Sequence, residues 1–350
     1  MADTFNYRID HHGSLVRPAE LLAAREQFAR GEIDEAALRE AEHAAVKEAV
    51  VLQRKLRSTV VTDGDFPRED FRSAVFDGVS GFRRTEETVD GLPSWVAESL
   101  PKAKGPLLAD WTGTVAGLTQ IAAKASLPSP AYLAATCFEP GLAGSSGPAS
   151  ARELGEALAE IIQAEIELLV ARGVKLIQLN NPLLLAQTST EAPALGALSF
   201  EDALAVEAIA VRLDTRPEGV RIGVCPGWEA PAAVDRAKAE QLYGAVPADR
   251  WVLPYYQDTA AEFDLLKALP EDRDVCLTVV DAAVPELEDI DAVMTRIDAA
   301  AEVKDIEDMA IAPSRGFADS ATHPLLSAED QRRKLVLVET LARYCWGNEF

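Results

Sequence analysis

The sequence predicts an α/β fold: one (β/α)8 barrel spanning residues 1–350, with a long excursion after its second strand. Three observations lead there. Short β-branched or apolar runs alternate with long amphipathic segments along the whole chain. Eight such runs can be assigned as strands, at 8–14, 58–63, 120–126, 174–179, 220–225, 251–255, 275–280 and 309–312. Several are apolar on consecutive residues, as strands covered on both faces are.

The elements follow in order. Strand one, 8–14, leads to a helix at 18–30. A second helix at 34–56 places Leu38, Ala41, Ala45, Ala49, Leu52 and Leu56 on one stripe, with Asp34 as its cap. Strand two, 58–63, opens into the excursion 64–118, expected over the barrel mouth. It contains "FRSAVFDGVSGFRR" and an apolar run at 107–111 that has no slot among the eight strands. After strand three, 120–126, the Pro/Gly/Ser-rich stretch 139–150 reads as a lid loop. The next helix, 151–172, has Ser150 as cap and Gly173 as its stop. Strands 174–179, 220–225, 251–255, 275–280 and 309–312 then alternate with helices at 200–213, 229–243, 259–269, 288–302 and 327–345.

Composition narrows the function. With 57 acidic against 34 basic residues the net charge is −23, which repels phosphate backbones and anionic lipids. A small-molecule substrate is expected, with neither nucleic acid nor membrane as partner. The four cysteines show no CxxC spacing, and no run approaches a membrane span, so a reducing cytoplasm is the expected location.

In a barrel, chemistry belongs at the C-terminal ends of strands. Strand one ends in Asp10, His11, His12, Ser14 and Arg17, and strand two in Asp63, Asp65 and Arg68. Strand four ends in Gln178, Asn180 and Asn181, strand five in Cys225 with Trp228 beyond, strand six in Tyr255, and strand eight in Ser314 and Arg315. Any one of these can be a loop cap; so dense a set of buried polar groups calls for a ligand.

The motifs "YRIDHHGSLVRP", "VTDGDFPRED", "KASLPSP", "GVKLIQLNNP", "IAPSRGF" and "LSAEDQRRKL" occur in this order. Together they resemble the catalytic barrel of cobalamin-independent methionine synthase, in a superfamily that also holds uroporphyrinogen decarboxylase. The resemblance implies a zinc thiolate transferase, with a folate as methyl donor. The family's zinc ligands are a His-x-Cys pair after strand five, a Glu after strand six and a Cys after strand eight. Here those positions read Gly223-Val224-Cys225, Pro254 or its neighbour, and Arg315, so Cys225 alone is kept. Asn180-Asn181 stand where the family has Asp-Glu, whereas Asp65 and Ser14 match.

Three enzymatic readings follow. The first is methyl or alkyl transfer to a small sulfur-containing or carboxylated substrate, distinct from authentic methionine synthesis. Asp65, Cys225 and His12 would be catalytic, and His11, Ser14, Arg17, Arg68, Asn180, Asn181, Trp228, Tyr255 and Arg315 substrate-binding. Cys225 is then a nucleophile or a small apolar wall. The second rebuilds a metal site from His11, His12 and His323 with Cys225, Asp63 or Asp65, although neighbours on a strand point to opposite sides. The third is a metal-free lyase or decarboxylase whose anionic substrate is held by Arg17, Arg68 and Arg315, unless these arginines simply tie loops to nearby aspartates. A binding protein without catalysis is the remaining alternative.

Overall fold

The computed structural model describes residues 7–89, 91–143 and 147–348. Helices α1 (Ala19–Ala29) and α2 (Glu35–Lys55) precede a two-residue strand β1 (Val60–Val61). Helix α3 (Ser73–Gly78) leads into an antiparallel hairpin, β2 (Val79–Val89) and β3 (Leu92–Ala103). After α4 (Thr112–Val115) the alternation becomes regular: β4 (Ala122–Pro128), α5 (Pro130–Cys137), α6 (Ala151–Ala171), β5 (Leu176–Asn180), α7 (Phe200–Ala210), β6 (Arg221–Cys225) and α8 (Arg236–Ala245). It continues through β7 (Arg250–Pro254), α9 (Ala260–Lys267), β8 (Asp274–Val280), α10 (Ile290–Ala301) and β9 (Met309–Pro313). Two short paired strands, β10 (Ala318–Ser320) and β11 (His323–Pro324), come before the last helix α11 (Ala328–Trp346).

The main sheet is parallel and curled, with strand order β1-β4-β5-β6-β7-β8-β9. It has seven strands where eight were expected. The stretch 8–14 makes only one β-bridge, Ile9 to Ile311. It still joins both edges of the sheet. Asp10 donates its N–H to the Ile311 carbonyl at 2.9 Å, and Thr59 donates to Ile9 at 3.2 Å. The ladder stops there because side chains take the next carbonyls. Lys124 donates to His11 O, Ser126 to His12 O and Thr62 to Gly13 O. Gly13, at φ +119°, also leaves extended geometry.

The caps read from sequence are present. Asp34 accepts from Ala37 N, Ser150 accepts from Glu153 N, and Gly173 adopts φ +90°. The helix expected at 229–243 starts later, at Arg236, because Asp235 is its cap and accepts from Ala237 and Lys238. The apolar run 107–111 is a loop that buries Leu108 and Ala109. Glu165 of α6 accepts the N–H groups of Leu107, Leu108 and Ala109, each at 2.7 Å. The hairpin β2–β3 and helices α3, α4 and α5 were not anticipated. Of the expected lid 139–150, residues 144–146 lie outside the described residues. Among the described residues no helix is long and apolar enough to cross a membrane.

Two buried polar clusters order the strand ends. Inside the sheet, Lys124 Nζ lies 2.7 Å from Asp10 Oδ1, and Arg250 lies 3.5 Å from Oδ2. Burial works to raise the Asp10 pKa, but the two cations outweigh it and hold the carboxyl below its ordinary value. At the ends of β4 and β5, Glu207 of α7 accepts from Ser129 and, at 2.8 Å, from Asn181. Its second oxygen has no partner among the described residues. Burial raises its pKa to about 7.

Two predictions follow from these clusters. Lys124→Ala removes the nearest partner of a buried carboxylate and should cost about 3–5 kcal/mol, read as a shifted denaturation midpoint. Adding Asp10→Asn should recover part of that loss; simple additivity would show the pair is not coupled. For Glu207, the folded state binds its proton more tightly than the unfolded chain does. Its contribution is therefore fully present below the ordinary carboxyl value and falls as pH rises through about 7. Glu207→Gln should flatten that fall and stabilise the protein at pH 8 relative to wild type, on the order of 1–3 kcal/mol. An unchanged slope in pH-dependent unfolding would remove Glu207 as the source.

Candidate active site

A cavity of about 520 Å³ opens at the C-terminal ends of the parallel strands. The barrel side supplies His12, Ser14, Arg17, Asp65, Asn180, Trp228 and Arg315. The hairpin supplies Val89, Leu92, Ser94 and Trp95, and α5 supplies Tyr132, Thr136 and Cys137. One wall is thus mostly charged and the facing wall mostly aromatic and aliphatic. The sequence-derived residues His11, Arg68, Asn181, Cys225 and Tyr255 are not in the lining.

The arginines divide by partner. Arg68 is buried and holds Asp63 Oδ1 at 2.8 Å and also pairs with Asp65. Asp63 further accepts from Thr112 at 2.6 Å. Burial acts to lower the Arg68 pKa, but the two aspartates raise it. Asp63 is held low because Arg68 outweighs burial. This triad ties the loop down, which is why Arg68 stays out of the cavity. Arg17 is buried as well but makes no ion pair among the described residues. It donates to the carbonyls of Asp65 and Arg68 at 2.8 and 3.2 Å and to Ser14 Oγ at 3.1 Å. Burial lowers its pKa to about 10 against the pull of Asp65. Arg315 pairs with Asp319 and lies 4.5 Å from the Trp228 ring centroid.

The adjacent histidines diverge. His11 turns out of the sheet to Gln53 of α2, Nε2 to Oε1 at 2.8 Å. His12 turns inward, with Nδ1 3.2 Å from the amide nitrogen of Gln178. Burial, reinforced by Lys124, lowers their pKa values to about 4 and about 3, so both rings are neutral near pH 7.

Cys225 lies at the end of β6 and is 1% exposed. It packs with Val252, Cys276, Ala310 and Ala312, and burial raises its thiol pKa to about 12. A thiol so placed lacks the charge that activates a nucleophile. Nor do its neighbours fit zinc: apolar side chains pack on it, and the charged groups acting on it, Lys124 and Asp10, are already paired with each other. Among the described residues no three His, Cys, Asp or Glu side chains form a metal-holding group. The mixed site considered for His11, His12 and His323 is therefore not assembled. His323 is exposed, bonded to Ser320 at 2.9 Å. Asn181 turns away to Ser129 and Glu207. Tyr255 donates to Arg296 O at 3.2 Å, away from the cavity.

Several lining residues were missed by sequence reasoning. Arg72 is gripped by Asp70 through Nε at 3.1 Å and Nη2 at 2.8 Å. Phe71 lies 5.6 Å from Tyr132 and 6.3 Å, edge-on, from Trp228. Trp95 stacks at 4.4 Å on Phe76, which anchors the hairpin to α3. The only cue was "EDFRSAVFDG", a cluster of charges and aromatics inside the excursion.

No family model matches the chain. Two curated proteins of Bacillus subtilis (strain 168), Uncharacterized protein YxjH and Uncharacterized protein YxjG, are 26% and 24% identical to it. Each match spans 97% of this chain and 95% of the relative. A solved structure from Listeria monocytogenes, described as "the Putative Vitamin-B12 Independent Methionine Synthase", is 25% identical with a TM-score of 0.76, covering 98% of both chains. A B12-independent methionine synthase from Shewanella sp. W3-18-1, in complex with selenomethionine, is 16% identical with a TM-score of 0.73 over 97% of both chains. A methyltransferase from Methanosarcina mazei is 10% identical with a TM-score of 0.56, over 97% of this chain and 94% of its own. The chain thus has the α/β fold of cobalamin-independent methionine synthase-like and methyltransferase proteins.

Proposed function

We propose that this chain is a methyl- or alkyl-group transferase acting on a small sulfur-containing or carboxylated substrate, and that it is not an authentic methionine synthase. The observation that carries the reading is the position of the 520 Å³ cavity. It opens at the carboxyl ends of a parallel sheet whose whole length matches the Listeria monocytogenes structure. In this reading the chain is one (β/α)8 barrel, with residues 8–14 as its reduced first strand and 64–118 as the cover of its mouth.

The residues around Cys225 do not fit zinc, so no step is assigned to a metal. Arg17 and Arg315 hold the substrate's anionic group, or a thiolate, by charge. Trp228 and Asn180 line the same wall, and Ser14 positions Arg17. In the transfer, the acceptor sulfur forms a bond to the donor carbon as that carbon's bond to its leaving atom breaks. The thiol proton goes to the leaving group, by way of Asp65, the carboxylate that Arg68 fixes in the wall. Cys225 only packs. A metal-free lyase on an anionic substrate is the second reading, favoured by three arginines in the lining: Arg17, Arg72 and Arg315.

Transfer assays with homocysteine and other small thiols, against methyltetrahydrofolate and simple alkyl donors, test the proposal. The expected result is transfer that survives chelation, in protein holding far less than about one zinc per chain. Cys225→Ala should retain activity within about threefold, as for a packing thiol. Chelator-sensitive homocysteine methylation, lost in Cys225→Ala, would overturn it. Elimination or CO₂ release without transfer would select the lyase.

A further inference from the structure

We propose that the cavity floor is a carboxylate site, in which neutral His12 donates its Nε2 hydrogen to a monocarboxylate with an apolar, ring-bearing body. The inference rests on reading this cavity as the substrate site.

The first argument is the tautomer. The Gln178 amide nitrogen faces Asn180 Oδ1 at 2.7 Å and His12 Nδ1 at 3.2 Å. An amide N–H is a donor, so Nδ1 must present its lone pair. The single proton of the neutral ring is therefore on Nε2. That atom is buried and has no partner among the described residues, and His12 itself is only 5% exposed. An unmet buried donor costs about 1–3 kcal/mol, which a ligand oxygen would offset.

The second argument is charge. In the cavity lining Arg17, Arg72 and Arg315 stand with Asp65, Asp70 and Asp319, a balance of three to three. Asp65 is held from behind by Arg68, Asp70 by Arg72 and Asp319 by Arg315, and among the described residues Arg17 makes no ion pair. A balanced site with one unpaired cation accepts a single added negative charge better than a dianion. The third argument is the opposite wall, where Phe71, Trp95 and Tyr132 offer ring faces and edges, with Trp228 of the charged side edge-on to Phe71. Such a wall suits a flat apolar body.

The test uses the full chain and three probes: benzoate, its uncharged analogue benzamide, and inorganic phosphate. Nitrogen-15 NMR of the histidine rings should find His12 protonated on Nε2 and bare on Nδ1 from pH 5 to 8. Calorimetry should find that benzoate binds at least about tenfold tighter than either other probe. His12→Leu should weaken benzoate about tenfold, while His12→Gln, which keeps an N–H donor, should lose no more than about threefold. An imidazolium, a proton on Nδ1, equal binding of benzamide, no benzoate binding, or a folded His12→Leu that binds like wild type would each overturn the site. Benzoate binding without alkyl transfer would leave the site standing and remove the transferase reading. Transfer activity with benzoate binding indifferent to His12 would do the reverse.

Discussion

The two edges of the curled sheet are bridged beside the carboxylate of Asp10, and much of the cavity's charged wall depends on how that charge is held. Asp10 lies in a stretch that touches both edges of the sheet, and its oxygens reach Lys124 on β4 and Arg250 on β7. Burying one such charge costs several kcal/mol, so the ions persist only together. Lys124 also takes the carbonyl of His11, which ends the ladder and frees the chain to turn at Gly13. The same cation helps keep His12 neutral. One buried contact therefore fixes the stretch 8–14 and the turn behind it, and its cation adds to the burial that keeps a ring in the cavity neutral.

This arrangement also explains the fate of Cys225. Lys124 acts on the thiol and lowers its pKa slightly, yet burial dominates and leaves it protonated. The interior near it is filled by small apolar side chains and by an ion pair that is already satisfied. A divalent cation there would meet one protonated thiol and a neighbouring ammonium group. Gly223, two residues earlier on the same face of β6, leaves room beside Arg250 and adds no donor.

The regular part of the fold was legible because burial on both faces writes itself into strands as unbroken apolar runs. Strands β4 to β9 fall within two residues of their expected bounds, and the caps Asp34 and Ser150 act as their side chains dictate. The first strand was overcalled because an apolar start says nothing of which side chains will take its carbonyls. The hairpin β2–β3 was hidden by its solvent-facing charges, although Asp-Gly at 90–91 is a strong turn signal. In the site, position on a strand end identified Arg17, His12 and Arg315, but not where each partner sits. Arg68 and Asn181 are strand-end residues too, yet Asp63 and Glu207 claim them. Lys124 was readable as a charge inside an apolar strand, a pattern that demands a buried carboxylate nearby.

The two walls of the cavity come from different parts of the chain, and this separates what each can do. The charged wall is built on strand ends, whose positions the sheet fixes to within hydrogen-bond tolerance. The apolar wall comes largely from the hairpin, α5 and Phe71 just before α3, held by the stack of Trp95 on Phe76 of α3 with Arg72 5.6 Å from the same ring. Asp70 grips that arginine at two points, a local pair two residues apart that fixes the entry to α3. Substitutions in the hairpin can therefore reshape the space for a substrate's body without moving the groups that meet its charge. On the proposed reading, a fold that varies its cover above the same strand ends can change substrates while the sheet beneath stays the same.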